Sequence, residues 1–376
     1  MTSTPTSTRE LRSTVSEDGT LTMDIRDADV ATPGPDQIVV RVEAAPINPS
    51  DLALLLGGAD IADAVATGSG DAPAVTAPIT TGLGALAARF GASMVAGNEG
   101  GGVVVAAGSS DAAQALLGKT IGFVSGDAYA EYRTIHVLSA LPMPEGTTSI
   151  EAAAAFVNPL TALGMVETMR AEGHTALLHT VGASNLGQML NRICLDDGIA
   201  LVNIVRKHEH VDMLKANGAE YVVNSSADSF FDDLAEALRA TGATIAFDAI
   251  GGGDLVGTIL GAMEKVAMEG NEYNRYGSDT LKQAYIYGGL DRGPTVLNRN
   301  FGLTWSVSGW LLTPFLGKLG TEGTQRLRQR VADEITTTFA SPYGMTLSLD
   351  QAVDPEFVKR YAKMATGEKA LITPHA

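Results

Sequence analysis

The stretch LLHTVGASNLGQML, residues 177–190, decides how the sequence is interpreted. An apolar run ends in a turn of small residues, and the pattern after it predicts a helix over residues 187–195. The turn reads Gly182-x-Ser184-x-x-Gly187, the spacing of a dinucleotide-binding turn with serine in place of the middle glycine. The glycines permit a tight bend and close helix packing, and the Ser184 hydroxyl could bind a phosphate; a plain strand-to-helix turn is the alternative. The residues predicted to contact a nucleotide are Gly182, Ala183, Ser184, Asn185, Leu186 and Gly187.

The turn belongs to a regular alternation of strand and helix patterns. Strands are predicted over residues 176–181, 200–205, 221–224, 244–250 and 284–290, and further helices over 211–217, 230–240 and 255–267. Strands that alternate with helices of this length indicate βαβ units and a parallel sheet. After them, residues 305–312 predict one more strand and residues 327–337 an amphipathic helix. The sequence therefore predicts an α/β protein with a doubly wound parallel sheet.

The part of the chain before this alternation is rich in strand patterns. They lie in QIVVRVEAA (37–45), GGVVVAAG (101–108) and YAEYRTIHV (129–137). From Ser149 onward an alanine-rich segment predicts a helix that Pro159 interrupts. The change of character near residue 150 indicates a second domain with a different architecture.

Charge and cysteine content narrow the function classes. The formal net charge is −17, which argues against nucleic acid and anionic membrane surfaces as partners. No segment has the pattern of a secretory signal or a membrane span, so we expect a cytoplasmic protein. Cys194 is the single cysteine, which excludes an internal disulfide. Its apolar neighbours favour a buried structural thiol over a reactive one.

The end of the second strand of the alternation predicts which dinucleotide binds. NAD-specific sites usually carry an acidic residue there to bind the ribose 2′-hydroxyl. Here Arg206 and Lys207 follow Val205 directly, which favours the 2′-phosphate of NADPH. The alternative is that both cations form a solvated helix start. His208 and His210 are close enough to suggest a metal site, but without a third ligand they are more typical of surface histidines.

A series of motifs through nearly the whole chain carries a family resemblance. They are VVRVEAAPINPSDL (39–52), GNEGGGVV (97–104), YAEYRTI (129–135), AAAAFVNPLTAL (152–163), the turn at 177–190, NIVRK (203–207), AIGG (249–252), YIYGGL (285–290), SGWLL (308–312) and TGEKALITP (366–374). With these motifs the chain resembles the medium-chain dehydrogenase/reductase superfamily. The resemblance is greatest to its zinc-independent branch of quinone oxidoreductases and 2-enoyl thioester reductases.

The resemblance implies a fold and an assembly. Residues 1–148 and 321–376 would form a GroES-like, partly open β-barrel domain, and residues 149–320 a Rossmann domain that binds NADPH. The branch commonly forms homodimers in which an edge strand pairs across a two-fold axis. In this chain that strand would contain SGWLL, and dimerisation would cover Trp310 and its leucine neighbours.

The resemblance also implies hydride transfer without a metal. The zinc branch carries a cysteine at the position of Asn48 and a histidine at the position of Asn98, and neutral amides are poor zinc ligands. NADPH would then deliver hydride to a small-molecule substrate, either a quinone or the β-carbon of an α,β-unsaturated carbonyl.

The resemblance assigns roles to particular residues, each with a structural alternative. The catalytic candidates are Asn48, Asp51, Asn158 and Thr161. The cofactor candidates outside the turn are Arg206, Lys207, Ile250, Gly251, Tyr287, Gly288, Gly289 and Lys369. As alternatives, Asn48 could form an Asx turn, Asp51 could cap a helix, and Asn158 and Thr161 could be cap and turn residues. Lys369 could be an ordinary exposed lysine.

The chain departs from its relatives in one place. The thioester reductases carry a tyrosine shortly after the NPSD motif, whereas LALLLGGADIADA, residues 52–64, contains none. Two other functions therefore stay open beside quinone or enone reduction. One is a 2-enoyl thioester reductase, and the other is a non-catalytic NADPH-binding protein.

Overall fold

The structure of the protein, a computed structural model, describes residues 5–70 and 72–376. The described chain forms two compact units. Unit 1 consists of the chain up to Pro159 together with Arg328–Ala376, and unit 2 is Leu160–Leu327. Each unit has its own sheet architecture.

The elements follow one another in a β-rich part, an alternating part and a short terminal part. In chain order the strands are β1 (Ser7–Val15), β2 (Thr20–Asp29), β3 (Gln37–Pro46), β4 (Val65–Ala66), β5 (Ala74–Pro78), β6 (Met94–Val95), β7 (Glu99–Ala107), β8 (Thr120–Val124), β9 (Tyr132–His136), β10 (Ala140–Pro142), β11 (Ala176–His179), β12 (Ala200–Val205), β13 (Tyr221–Asn224), β14 (Ile245–Asp248), β15 (Gly251–Gly253), β16 (Lys282–Ile286), β17 (Asp291–Thr295), β18 (Trp305–Gly309), β19 (Met345–Leu347) and β20 (Ala370–Ile372). The α-helices are α1 (Pro49–Leu56), α2 (Asp111–Gln114), α3 (Ser149–Ala152), α4 (Val157–Ala171), α5 (Asn185–Asp197), α6 (His208–Ala216), α7 (Phe230–Thr241), α8 (Leu255–Met268), α9 (Leu312–Asp333), α10 (Leu349–Ala352) and α11 (Pro355–Tyr361). Short 3-10 turns lie at Ile61–Asp63, Leu83–Arg89 and Val137–Ser139.

Unit 1 is built from mainly antiparallel sheets. One has the strand order β4-β5-β2-β1-β6, and the other has the order β10-β8-β7-β3-β20-β19, with β9 also paired to β3. On β3, Ile38, Val40 and Val42 point into the core and have no solvent exposure. Their spacing of two residues is the alternation that the sequence shows in this segment. Strand β20, near the end of the chain, pairs with β3 and so joins the C-terminal residues to this unit.

Unit 2 contains the parallel sheet that the sequence predicts. Its strand order is β13-β12-β11-β14-β16-β18, and every neighbouring pair is parallel. The chain moves outward from β11 to β13, returns to the other side of β11, and continues outward from β14 to β18. The order therefore reverses between β11 and β14. Open parallel sheets bind ligands beyond the carboxyl ends of their strands at such a point.

Four strands of this sheet end earlier than the sequence predicts, namely β11 at His179, β18 at Gly309, and β14 and β16. β14 stops at Asp248, because the Asp248 carboxylate accepts hydrogen bonds from the backbone N–H groups of Ile250 and Gly251, at 3.1 and 2.7 Å. These bonds turn the chain out of the strand. β16 ends at Ile286 rather than at residue 290, and the backbone N–H of Tyr287 donates to the carbonyl of Asp248 at 2.9 Å.

The alanine-rich segment forms two helices rather than one interrupted helix. α3 has Thr148 as its N-cap in place of the predicted Ser149, because the Thr148 hydroxyl accepts the N–H of Glu151 at 3.2 Å. α4 begins at Val157, so Pro159 lies in its first turn. A proline is tolerated there, because the first N–H groups of a helix have no partner within the helix.

The predicted edge strand is shorter than expected, and its tryptophan turns inward. The Trp310 Nε1 donates to the Thr168 hydroxyl at 3.0 Å. The indole ring also contacts the rings of Phe247 and Phe315. Leu311 remains 64% exposed. Trp310 is therefore partly covered by its own unit, and the expectation that a partner chain covers this edge stays a prediction.

The remaining helices partly match the sequence patterns. The helix predicted over residues 327–337 is the end of the longer α9, which Gly320 interrupts with a φ of 78°. Cys194 on α5 is buried, as predicted. Among the residues that the structure describes, no helix is both long enough and apolar enough to cross a membrane.

Candidate functional site

The turn between β11 and α5 is strained at one residue and closely packed at two others. Val181 has a φ of 52°, a left-handed conformation that β-branched residues rarely adopt. A Cβ atom at Gly182 would stand 2.8 Å from the Asn203 Oδ1, and one at Gly187 would stand 2.3 Å from the Gly182 carbonyl oxygen. Both glycines are therefore required by close approach, while the strained position is Val181. Backbone strain of this kind clusters at ligand-binding turns.

Ser184 caps the helix into which the turn leads. Its Oγ accepts the N–H of Gly187 at 3.0 Å, and α5 begins at Asn185 rather than at the predicted Gly187. A serine hydroxyl that accepts one hydrogen bond keeps its own hydrogen for another acceptor. The N-terminal end of a helix also favours anions. The turn therefore fits the phosphates of a dinucleotide.

The two cations after β12 differ in their surroundings. Lys207 is paired with Glu209, with 3.1 Å between Nζ and Oε1. Arg206 is exposed and has no carboxylate partner in the described part of the chain. Arg206 is therefore the better placed of the two to bind a further phosphate. His208 and His210 lie beside acidic side chains of α6, with nitrogen-to-oxygen distances of 3.9 and 3.8 Å.

The ends of β14 and β16 meet the turn at one edge of the parallel sheet. The cofactor candidates at this edge are Ile250, Gly251, Tyr287, Gly288 and Gly289. The backbone N–H groups of Ile250 and Gly251 already donate to Asp248, and the Thr180 hydroxyl donates to the same carboxylate at 2.8 Å. The Asp248 carboxylate therefore fixes this edge, and those two amides are not free to bind a cofactor.

Tyr287 forms a neutral pair with a buried histidine. The Nε2 of His179 lies 2.7 Å from the Tyr287 hydroxyl, and the two rings are stacked with 5.8 Å between their centres. Burial lowers the pKa of His179 to about 3, so its imidazole is uncharged near neutral pH. Burial and the nearby Asp248 raise the pKa of Tyr287 above its usual range. The Tyr287 side chain is thus anchored inside unit 2.

Asn48 lies in a buried polar cluster of unit 1, which consists of Asn48, Asp51, Glu99, Tyr129 and Lys369. Asn48 is 1% exposed, and its Nδ2 donates to the Glu99 Oε1 at 2.9 Å. Its Oδ1 has no hydrogen-bond partner among the residues that the structure describes. Asn48 is also the N-cap residue of α1 and belongs to a capping box with Asp51, so its alternative role as an Asx-turn residue stays a prediction.

Asp51 both caps α1 and carries a perturbed acidity. Its Oδ2 accepts the N–H of Asn48 and its Oδ1 accepts the N–H of Asn98, each at 2.8 Å. The Tyr129 hydroxyl, which donates to the carbonyl of Pro46 at 3.0 Å, lies next to the same carboxyl group. Burial raises the pKa of Asp51 to about 6, although the two backbone hydrogen bonds oppose this shift.

Glu99 holds the cluster together and was not among the residues chosen from the sequence. Its side chain is fully buried, and its Oε2 accepts the N–H groups of Phe156 and Val157 at 2.8 and 2.9 Å. These hydrogen bonds tie the start of α4 to β7. Asn158 and Thr161 follow on α4, and both are buried. In the sequence, the only signal of Glu99 is an acidic residue inside the glycine run of GNEGGGVV.

Lys369 is enclosed, so its interpretation as an ordinary exposed lysine is wrong. Its Nζ is inaccessible to solvent and has no hydrogen-bond partner in the described residues. It lies over the ring of Tyr343, 5.8 Å from the ring centre. Burial lowers the pKa of Lys369, while attraction by Glu99 and Asp51 opposes the shift.

The positions that carry zinc ligands in the zinc branch are occupied by amides engaged in hydrogen bonds. Asn48 Nδ2 donates to Glu99, and Asn98 Nδ2 donates to the Ser50 hydroxyl at 3.0 Å. Across residues 5–70 and 72–376, no group of three or more His, Cys, Asp or Glu side chains is arranged to hold a metal ion.

Comparison with known proteins places this geometry in context. No protein-family model matches the chain. The synaptic vesicle membrane protein VAT-1 homolog of Rattus norvegicus is 26% identical over 226 residues, which are 59% of this chain and 48% of the rat protein. The human homolog is 24% identical over 232 residues, 61% of this chain and 51% of that protein. The chain thus spans about half the length of these curated relatives.

Solved structures are similar over the whole chain. A Mesorhizobium loti protein provisionally described as an NADPH:quinone reductase has a TM-score of 0.74 and 24% identity, covering 99% of this chain and 100% of its own. The Escherichia coli quinone oxidoreductase complexed with NADPH has a TM-score of 0.68 and 16% identity, covering 97% and 100%. The Etr1p complex with NADP and crotonyl-CoA has a TM-score of 0.67 and 17% identity, covering 98% and 99%. At these identities the likeness shows the fold.

Proposed function

Because the chain has the GroES-like plus Rossmann fold of the medium-chain dehydrogenase/reductases, as its motifs predict, we propose that it is an NADPH-dependent, zinc-independent oxidoreductase. Its substrate would be a quinone or an α,β-unsaturated carbonyl compound. The observation that carries the proposal is the turn from Val181 to Gly187, where strain, close packing and a helix cap are combined at the switch point of a parallel sheet. Fold alone does not fix function, so the argument rests on the chemistry of the sites.

The residues of unit 2 suit NADPH in two respects. The turn and the start of α5 supply a hydroxyl hydrogen and the positive end of a helix to the phosphates. Arg206, which has no carboxylate partner among the described residues, supplies its guanidinium to the 2′-phosphate. NADPH, when bound, supplies the hydride. The complexes of similar folds with NADPH and NADP support this choice of cofactor.

The buried polar cluster of unit 1 suits a reaction that creates negative charge on an oxygen atom. It holds one ammonium group and one amide beside two carboxyl groups, in surroundings from which water is largely excluded. Such surroundings strengthen electrostatic interactions with a developing charge. In place of the two zinc ligands of the zinc branch, the chain has Asn48 and Asn98. The chemistry proposed here therefore needs no metal ion.

A substrate screen tests the proposal directly. The purified protein is incubated with NADPH and a panel of simple quinones, enones and enoyl thioesters, and loss of the reduced-nicotinamide absorbance is followed. Steady oxidation with quinones or enones supports the proposal, and oxidation only with enoyl thioesters supports the thioester reductase alternative. Tight NADPH binding without turnover over the whole panel favours a non-catalytic binding protein, and a requirement for added zinc contradicts the metal-free mechanism.

Substitution of Arg206 tests the cofactor preference separately. We expect Arg206→Ala to weaken NADPH binding about 10- to 100-fold and to leave NADH binding almost unchanged, because a bidentate guanidinium–phosphate contact is lost. Lys207→Ala is the matched control, with a smaller effect, because Lys207 is already paired with Glu209. Fluorescence titration with both dinucleotides measures these affinities. Equal loss for NADPH and NADH would show that Arg206 does not recognise the 2′-phosphate.

We further propose that the protein is a cytoplasmic homodimer. β18 is the edge strand of the sheet in unit 2 and is followed by the exposed Leu311. An unpaired edge strand is a natural site for pairing with a second copy. Sedimentation equilibrium of the full chain would contradict this proposal if it found only monomer.

A further inference from the structure

The buried polar cluster contains an amide whose orientation is fixed by its neighbour. The Glu99 carboxylate already accepts two backbone hydrogen bonds through Oε2, and its Oε1 faces the Asn48 amide at 2.9 Å. Asn48 Nδ2 is the donor of this hydrogen bond, so Asn48 turns its NH₂ group toward Glu99. The side-chain atom of Asn48 that is still available to a ligand is therefore Oδ1, a hydrogen-bond acceptor without a partner among the described residues. Asn48 can bind a donor but cannot stabilise an oxyanion.

The other polar groups of the cluster are held by the backbone around them. Both oxygens of Asp51 accept backbone N–H groups, at 2.8 Å each, which fix the carboxyl group at the start of α1. The Tyr129 hydroxyl donates to the carbonyl of Pro46. Lys369 differs from them, because its ammonium donors have no hydrogen-bond partner in the described part of the chain. An enclosed donor without a partner is destabilising, more so when it is charged, and a ligand acceptor would offset this cost.

From this contrast we infer that Lys369 is the catalytic residue that binds the oxyanion formed on the hydride acceptor and protonates it, and that Glu99 is a positioning residue that keeps Asn48 from this role. The inference rests on the proposed function and assigns the proton donor within it. It also replaces the interpretation of Lys369 as a cofactor contact.

The atoms and electrons of the step balance as follows for an enone. Hydride addition at the β-carbon forms a C–H bond and moves an electron pair onto the carbonyl oxygen. An Nζ–H bond of Lys369 then breaks and an O–H bond forms, which gives the enol and a neutral amine. The enol rearranges to the saturated ketone, and water returns a proton to the amine. For a quinone, the same proton converts the hydroquinone monoanion into the hydroquinone.

The surroundings of Lys369 suit such a donor. A lysine in water is a weak acid near neutral pH, and efficient proton donors have a pKa closer to the working pH. Burial lowers the pKa of Lys369 from its ordinary 10.5, and the attraction of Glu99 and Asp51 for the ammonium group opposes this shift. The flexible stem of a lysine also allows Nζ to move toward a ligand.

An ionisable probe tests the inference without any turnover. The protein is titrated with 4-nitrophenol at a pH below the solution pKa of the phenol, and the visible band of the phenolate is recorded. We expect the wild-type protein to bind the phenolate form and Lys369→Met to bind it at least about 100-fold more weakly, the size of a lost general acid. Lys363→Met, at an exposed lysine of the same unit, is the matched control and should behave as the wild type.

Each result of the titration bears on the inference. It is overturned if the wild-type protein leaves the phenol neutral or unbound, or if Lys369→Met ionises it as well as the wild type. Lys369→Arg guards against a folding defect, because it keeps the positive charge and should retain phenolate binding. A melting curve for each variant checks that the fold is intact.

A pH profile with an acceptor from the substrate screen supplies the second readout. Wild-type kcat should fall as the pH rises through the lowered pKa of Lys369, because the donor form is lost. In Lys369→Met this basic limb should disappear, with kcat about 100-fold lower and NADPH affinity nearly unchanged. An unchanged basic limb would overturn the inference. If the protein ionises the probe but none of the acceptors in the screen supports NADPH oxidation, the proposed function is contradicted. The binding of an oxyanion at Lys369 is then still supported.

Discussion

The turn of unit 2 and the buried polar cluster of unit 1 are built in different ways. The turn is made by neighbouring residues through backbone conformation, with a strained Val181, two closely packed glycines and a capping hydroxyl. The cluster is made by side chains from distant parts of the chain, and buried charges hold it in place. The comparison teaches that the first depends on steric fit and the second on electrostatic balance. Substitutions and pH should therefore affect them differently.

The largest effect on cofactor binding is expected from a side chain placed inside the turn. Gly187→Val should weaken NADPH binding by at least about 100-fold, since its Cβ would stand 2.3 Å from the Gly182 carbonyl oxygen and the backbone must move. Isothermal titration calorimetry with NADPH measures the loss. Gly317→Ala is the control, because a Cβ at that helical position meets nothing within 4 Å. Wild-type NADPH affinity in Gly187→Val would mean that the turn does not bind the phosphates. The statement that the turn depends on steric fit would then be wrong.

Removal of the central carboxylate should affect stability rather than cofactor binding. Glu99→Ala leaves the Asn48 amide and the N–H groups of Phe156 and Val157 unpaired, at a cost of about 1–3 kcal/mol for each buried group. We expect the urea midpoint of unfolding to fall markedly. Glu145→Ala, an exposed glutamate of the same unit, should leave it unchanged. If the two variants unfold at the same urea concentration, the hydrogen bonds to Glu99 do not hold the cluster.

The difference between the two regions also explains what the sequence could predict. The turn was recognisable because spacing, small residues and the strands around it lie within a short window, and the parallel sheet followed from the same alternation. The strained residue could not be predicted, since the sequence pattern around Val181 is that of an ordinary strand end. Glu99 was also not predicted as a residue of the site.

The interpretation of Lys369 shows a further limit of local patterns. The residue follows an exposed turn, and an isolated lysine there is usually solvated. It becomes enclosed because β20 pairs with β3, from the other end of unit 1, which brings the C-terminal segment to the cluster. Trp310 is similar, since it follows an edge strand but packs against Phe247 of a central one. Tertiary pairing decides both positions.

The smaller effect on stability, and the sharpest test of the electrostatic half of the comparison, is a pH dependence. Burial raises the pKa of Asp51 from 3.8 to about 6, so between these values the folded state binds more protons than the unfolded state. The free energy of unfolding should therefore fall as pH rises through this window, by an amount of order 3 kcal/mol from this group. In Asp51→Asn that contribution should be absent, while Asp36→Asn, at an exposed aspartate of the same unit, should keep the wild-type slope. Urea unfolding at a series of pH values measures the difference. If the free energy of unfolding depends on pH in the same way in the wild type and in Asp51→Asn, water reaches the carboxyl group. The cluster would then depend on steric fit, as the turn does.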